Sequence, residues 1–253
     1  DNENINFYTG DLINFIDKHE AFDKPIIITG YKKKTSSYLK NKLKILFKDP
    51  LGFFDKILRI IFLRFIRLIE LPITKKLFPN YEKKSNQLLE NNYQRVEVSG
   101  IWSKSMISLS FNENDIKIIS SLNLDCIIRC GTGILRGDIL NITRHGILSF
   151  HHSDNRVIRG GPSGFWEVLK NFSSSGFIIQ KLSEELDGGE VILRGNMMTR
   201  EMWLLNNAQL LEKSNYFFKI VLNNLAKNQK LKKEKNISLH GNQLSSIKTS
   251  QPL

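Results

Sequence analysis

From Arg95 onward, short β-rich runs alternate with helical stretches, and this alternation constrains the fold more than any other property of the chain. Asn112–Leu122 carries one apolar face behind an Asn cap and predicts a helix, followed by a strand at Asp125–Cys130 (DCIIRC). Arg136–Arg144 is helical in pattern, Gly146–His151 (GILSFH) extended, and Phe165–Phe172 helical again, with Phe165 and Trp166 on its core face. Ser175–Leu182 (SGFIIQKL) and Glu190–Leu193 are further strands, and Trp203–Ala226 is a long helix. Strands separated by helices predict an α/β domain built on an open, mostly parallel sheet flanked by helices. Upstream, Pro25–Gly30 (PIIITG) predicts a strand and Thr35–Lys48 a basic helix. The chain thus divides into a divergent part, 1–94, with the first strand and a helical insertion, and a regular part, 95–226, of the same domain. A Lys/Asn/Ser-rich tail, 227–253, is expected to be disordered.

At 253 residues there is room for one large domain or one domain with extensions. The net charge of +12 points to an anionic partner: nucleic acid, a nucleotide-linked substrate or a membrane surface. The excess sits in 31–48, 56–76 and 227–235 rather than over the polar motifs. Asp1–Glu20 lacks the apolar core of a signal peptide, and the absent initiator Met suggests a trimmed or partial chain. Cys126 and Cys130, on one strand at i, i+4, are too far apart to bridge and have no partner pair for zinc. They predict reduced core residues and a cytoplasmic setting.

Leu51–Leu71 (LGFFDKILRIIFLRFIRLIEL) is a separate signal. At about 100° per residue, Lys56, Arg59, Arg64, Arg67 and Glu70 share one side, and large apolar residues fill the rest, ending at Pro72. Its charges exclude a membrane span. Wide apolar faces more often meet protein than lipid, so the expectation is a helix packed against the domain with arginines along one edge. The alternative is peripheral contact with anionic lipid at the inner membrane face.

The densest polar stretch is SFHHSDNRVIRGGPSGFWEVL, Ser149–Leu169, which holds two of the five histidines. On a strand His151 and His152 diverge, so they cannot share a metal ion, and no third ligand stands nearby; no metal is expected. Gly131-Thr-Gly133-Ile-Leu-Arg-Gly137 has the wrong spacing and context for a dinucleotide fingerprint, which argues against a nicotinamide cofactor. A second polar cluster, Leu186-Asp187-Gly188-Gly189-Glu190, forms a turn between two predicted strands. If strand carboxyl ends carry the chemistry, His151 sits at such an end and Asp187 on the loop after a later strand.

Ser149-Phe150-His151-His152-Ser153, followed by Asp187-Gly188-Gly189, resembles the folate-dependent formyltransferases that act on glycinamide ribonucleotide, methionyl-tRNA and nucleotide sugars. Their motif reads N-x-H-x-S-x-L-P, then D-x-G. The resemblance covers Asn114–Leu193, and is poor before residue 95. The stretch is also similar to a subgroup patterned HHxDxRxxRGGPxGFWE, whose members are formyltransferase-like domains of unassigned substrate. The resemblance implies a Rossmann-like formyltransferase fold and transfer of a formyl group from 10-formyltetrahydrofolate to an amine. Attack creates an oxyanion and an ammonium, which calls for a donor and a base. By position, His151 would be the central catalytic group, Asp187 its partner, and Ser149 the residue in the Asn position. Arg129, Gly131, Gly188 and Gly189 would face the folate. His152, Asp154, Asn155, Arg156 and Arg159 would meet the acceptor, with the two arginines as clamps for phosphate or carboxylate.

Ser149 in place of Asn is a departure, since losing one oxyanion donor costs about 10²–10³ in rate. His152 supplying the donor, altered acyl chemistry, or loss of catalysis with binding retained would each account for it. The Leu-Leu-Pro segment is replaced by Asp154-Asn155-Arg156, which favours a polar or anionic acceptor. The expected acceptor is an amino sugar or nucleotide-linked sugar. Nothing after Leu193 matches the second domain of the tRNA enzymes, so tRNA is disfavoured. The alternatives are a non-catalytic binding module in glycan or glycolipid biosynthesis and a formyl hydrolase using the same site.

Overall fold

The computed structural model describes residues 5–29, 50–103, 107–131, 133–159, 161–185, 189–227, 229, 231, 234 and 242–243. The chain opens with β1 (Ile5–Asn6), α1 (Phe7–Asp17), β2 (Ile27–Thr29), α2 (Pro50–Leu77), β3 (Lys84–Ser85) and α3 (Gln87–Glu90). It continues with β4 (Arg95–Glu97), β5 (Ile101–Trp102), β6 (Ser108–Ser110), α4 (Glu113–Ser121), β7 (Ile127–Arg129) and β8 (Ile134–Leu135). A 3₁₀ turn at Asp138–Asn141 leads to β9 (Ile147–His151), β10 (Ile158–Arg159) and α5 (Phe165–Leu169). Then follow β11 (Ser174–Lys181), β12 (Glu190–Met198), α6 (Trp203–Ala226) and β13 (Asn242–Gln243). The basic helix expected at Thr35–Lys48 lies outside the described residues.

The fold is α/β, with a sheet of order β12-β11-β9-β7 at its centre. It is mixed rather than mostly parallel: β7 and β9 are parallel, whereas β11 runs antiparallel to both β9 and β12. The reason is the segment after β9. It stays at the carboxyl end of that strand, where Ser163 Oγ donates to the His152 carbonyl at 3.1 Å, and so the chain re-enters the sheet from there. A crossover would be needed to make the strands parallel.

One face of the sheet buries Leu148 and Ile179 against Leu12 of α1 and Phe218, Val221 and Leu222 of α6. The opposite face packs Ile147 against Val98, Ile119, Ile139 and Leu140, and the β2–β4 pair joins this cluster through Ile28 and Val96. Fully burying one such side chain contributes about 1.5–3 kcal/mol. Three local expectations change. Arg136–Arg144 is not a helix, because Gly137 turns at φ +82° into only four residues of 3₁₀ structure. The helix begun near Leu51 runs past Pro72 to Leu77, where the last turns are held to α6 by Leu71 and Phe78, packed against Leu204 and Ala208. The expected disorder of 227–253 meets two anchored points: Glu234 N–H donates to the Val191 carbonyl at 2.9 Å, and β13 pairs with β10.

Candidate active site

Ser149 and His151 are two residues apart on β9, so their side chains share one face of the sheet. In register, Arg129 of β7 lies opposite Ser149 on one side and Gln180 of β11 on the other. Opposed residues face the same way. Arg129, Ser149, Gln180 and His151 therefore form a polar group across three adjacent strands, on the face away from α6. Arg129 Nη1 donates to Ser149 Oγ at 3.3 Å, and its Nη2 donates to the Gly133 carbonyl. Ser149 is 1% exposed, and its hydroxyl donates to the Phe150 carbonyl at 3.2 Å. Gln180 is buried, with its Oε1 lacking a hydrogen-bond partner among the described residues. Sequence reasoning missed Gln180; its signal was a lone amide inside the apolar run of β11.

Asp187 and Gly188 lie outside the described residues. Because β11 is antiparallel to β9, its carboxyl end lies beside Leu148, three residues before His151. The carboxyl ends of β9 and β11 therefore lie at opposite ends of the sheet, where a parallel pair would have brought them together. The flanks of the turn show where it leaves and returns. Glu184 accepts from the Gly137 N–H at 2.6 Å and from Arg136 Nη1 at 3.2 Å, joining the segment after β11 to the residues that follow β8, beyond the loop that leaves β7. Gly131 sits exposed in that loop. At the other flank, a Cβ on Gly189 would fall 2.3 Å from the Lys181 carbonyl oxygen and 2.9 Å from Gln180 Oε1, so only glycine fits. Gly189 thus lies against the polar group at the level of Ser149.

His152 is turned the other way, which corrects its expected contact with an acceptor. It stacks on Phe150, ring centroids 5.6 Å apart, and its Nε2 lies 2.9 Å from Ser214 Oγ of α6. Ser214 Oγ gives its own proton to the Leu211 carbonyl at 3.1 Å, so His152 donates to it through Nε2–H. Burial, and secondarily the neighbouring His151, pushes the His152 imidazole from 6.5 down to about 4. Below about pH 6.5 the unfolded chain takes up a proton that the folded chain refuses, until about pH 4. Stability therefore falls as pH drops through that window, by an amount on the order of 3 kcal/mol. Urea unfolding at about pH 7 and about pH 4 will show this loss. In His152→Phe, which keeps the ring stack, the loss will shrink by most of that amount. An unchanged pH dependence would contradict the buried neutral imidazole.

Asp154 and Asn155 are also interior, 7% and 0% exposed, so neither can meet an acceptor. Asp154 accepts from the Arg156 N–H at 3.0 Å and from Arg156 Nε and Nη2 at 3.1 and 2.8 Å. The Arg156 fork, expected as an acceptor clamp, is spent on this carboxylate. Arg194 of β12, absent from the sequence expectations, donates to Asp154 Oδ1, to Asn155 Oδ1 at 3.0 Å and to both oxygens of Glu234. Burial alone would push the Asp154 carboxyl up. The hydrogen bonds from Arg156 and the charges of Arg194 and Arg156 outweigh burial and hold it below its ordinary value. The backbone of Arg159 pairs in β10, and its side chain lies outside the described residues.

Nearby, Ser153 Oγ donates to Glu167 Oε1 at 2.9 Å, and burial pushes that carboxyl up. Phe165 and Trp166 are core, as their spacing predicts. Both cysteines are free thiols, but only Cys126 is half-buried, its thiol pushed up by burial to about 12; Cys130 is exposed rather than core.

No family model and no curated protein matches the chain. Solved structures do. The chain is similar to the formyltransferase PseJ from Anoxybacillus kamchatkensis, in complex with UDP-4,6-dideoxy-4-formamido-L-AltNAc and tetrahydrofolate. That match has 15% identity and a TM-score of 0.45 over 86% of this chain and 84% of that one. It is similar to glycinamide ribonucleotide transformylase 1 from Symbiobacterium toebii, at 12% identity and a TM-score of 0.46 over 56% of this chain and 68% of that one. It is also similar to a sugar N-formyltransferase from Shewanella sp., at 16% identity and a TM-score of 0.43 over 86% of this chain and 75% of that one.

Proposed function

We propose that this chain transfers a formyl group from 10-formyltetrahydrofolate to the amine of an amino sugar, carried as a nucleotide-linked acceptor. The observation that supports this most is the gathering of Arg129, Ser149, Gln180 and His151 on one sheet face, with Gly189 of the D-G-G turn packed against Gln180. A folate donor suits this arrangement in two respects. Gln180 Oε1, buried and without a hydrogen-bond partner among the described residues, would offer an acceptor to a ring N–H once Gly189 shifts to uncover it, and Gly189 itself lies as close to the sheet as a backbone can. When bound, the donor supplies a formyl carbonyl open to attack by an amine.

In this reading His151 would donate a hydrogen bond to the oxygen on which charge develops, and with Asp187 it would move the amine proton to the folate nitrogen, which leaves as its bond to the formyl carbon breaks. Ser149 does not replace the amide donor of an Asn, because its single proton goes to the Phe150 carbonyl. Arg129 takes that part instead. It stands 3.3 Å from Ser149 Oγ and keeps its positive charge at every working pH. The same use of the Ser149 proton favours a second reading, a formyltransferase-like module that binds without catalysis.

The test is the purified chain with 10-formyltetrahydrofolate and a panel of amino-sugar nucleotides, read by mass spectrometry, with folate affinity measured separately by calorimetry. A formylated sugar nucleotide is the expected product, and Arg129→Ala should slow its formation by about 10²–10³. Folate binding without product, in every acceptor, would favour the binding module; formate released without an acceptor would indicate hydrolysis. Neither binding nor product would overturn the proposal.

A further inference from the structure

The helix α2 turns the wrong side outward for a helix that only packs. Three of its polar residues face the protein: Arg67 pairs with Glu82, Glu70 accepts the Leu204 N–H at 2.7 Å, and Thr74 is fully buried. Leu63 and Leu71 are its apolar contacts on that side, with the clusters around Trp166 and Leu204. The opposite side carries Leu58, Ile61, Phe62, Phe65, Leu68 and Ile69, each at least half exposed, with Phe65 at 60% and Leu68 at 74%. At about 100° per residue these six fall within one stripe. Arg64 and Lys75 border it on one edge and Arg59 on the other. This corrects the expectation that the apolar face packs against the domain with arginines along an edge.

A contiguous apolar stripe of this kind is a contact surface. No helix among the described residues is long and apolar enough to cross a membrane, so the stripe must lie along whatever it meets. We infer that α2 seats the protein on an anionic lipid surface, with the apolar stripe in the acyl boundary and its bordering cations among the headgroups. Charge decides between lipid and a second copy of the chain. The helix carries Lys56, Arg59, Arg64, Arg67, Lys75 and Lys76 against only Asp55 and Glu70, and Glu70 is used inward. Two copies laid stripe to stripe would bring cationic edges together with almost no acid to meet them. Anionic headgroups supply that acid, and the long cationic side chains reach them while their stems lie along the apolar layer.

The test is co-sedimentation of the full chain with vesicles of phosphatidylcholine, alone or with about a third phosphatidylglycerol. The chain should sediment with the anionic vesicles and be released by raised salt. Phe65→Ser combined with Leu68→Ser, both on the exposed stripe, should weaken binding by about tenfold or more with an unchanged circular dichroism spectrum. Arg64→Glu combined with Lys75→Glu should abolish the preference for anionic vesicles while leaving the stripe intact. No binding to anionic vesicles at low salt would overturn the inference. So would a dimer, seen by light scattering, that the Phe65/Leu68 variant dissociates. Both readouts are independent of formyl transfer, so their failure leaves the proposed activity standing.

Discussion

His151→Gln is expected to lower turnover by about 10²–10⁴ while leaving folate affinity and melting temperature close to those of the parent. Three features of the structure set this expectation. The side chain ends β9 on the face that carries Ser149, Arg129 and Gln180; its cross-strand neighbour is the apolar Ile178; and the core helices pack against the other face. Glutamine keeps size and polarity but cannot act as a base, so the substitution separates proton handling from packing. Initial rates under saturating donor and acceptor give kcat, and calorimetry gives the folate affinity. Equal loss in kcat and kcat/KM would identify an interaction made in the transition state. A kcat within about twofold of the parent would remove His151 from the mechanism.

Arg194→Met is expected to destabilise the fold by about 3 kcal/mol, because it removes one of the two cationic partners of the buried Asp154 carboxylate and leaves only Arg156. The side chains of Arg194 and Asp154 are 8% and 9% exposed, so water cannot take the place of the missing guanidinium. In a chain of this size that loss lowers the melting temperature by about 10 °C. Adding Asp154→Asn should recover part of it, since the neutral amide no longer needs a cation. The pH dependence follows from the same pair. Asp154 is held below its ordinary value in the folded chain, so the stability it contributes is present above about pH 4 and is lost as pH falls through the folded value. Unfolding curves of the parent should show this loss in acid, and the double variant should show less of it. A single-variant cost under about 1 kcal/mol would mean that the network is peripheral to stability.

Local patterns survived folding where they were strong and long. The helix α6 begins at Trp203 and ends at Ala226 as its apolar periodicity predicts, and α4 starts behind Asn112, whose side chain accepts the Asp115 N–H at 2.8 Å. The N-terminal helix was illegible because its 11 residues are mixed in pattern; it is held by Leu12 against α6 and by an Asn6 cap on Thr9. Of the polar run Ser149–Arg156, the sequence marked Ser149, His151, His152, Asp154, Asn155 and Arg156 as chemically suggestive but could not sort them. Sorting required partners distant in the chain. Ser214 draws His152 inward, 62 residues away, and Arg194 draws Asp154 inward, 40 residues away. Gln180 joins the site only through its register with Ser149.

What the sequence determined by itself was the alternation of elements in the second half of the chain, the extents of α4 and α6, and the motif positions of His151 and Asp187. These depend on side chains a few residues apart, which the chain carries with it in any conformation. The tertiary structure alone decided the direction of β11, the turn of His152 toward α6, the burial of Asp154, and the outward turn of α2. Each depends on which distant group satisfies a charge, a hydrogen bond or an apolar face, and that choice exists only once the strands are in register. For α2 the periodicity was plain from the start. Which side would face outward was settled by Glu82 and the Leu204 N–H, which satisfy Arg67 and Glu70 against the protein and leave the apolar stripe exposed.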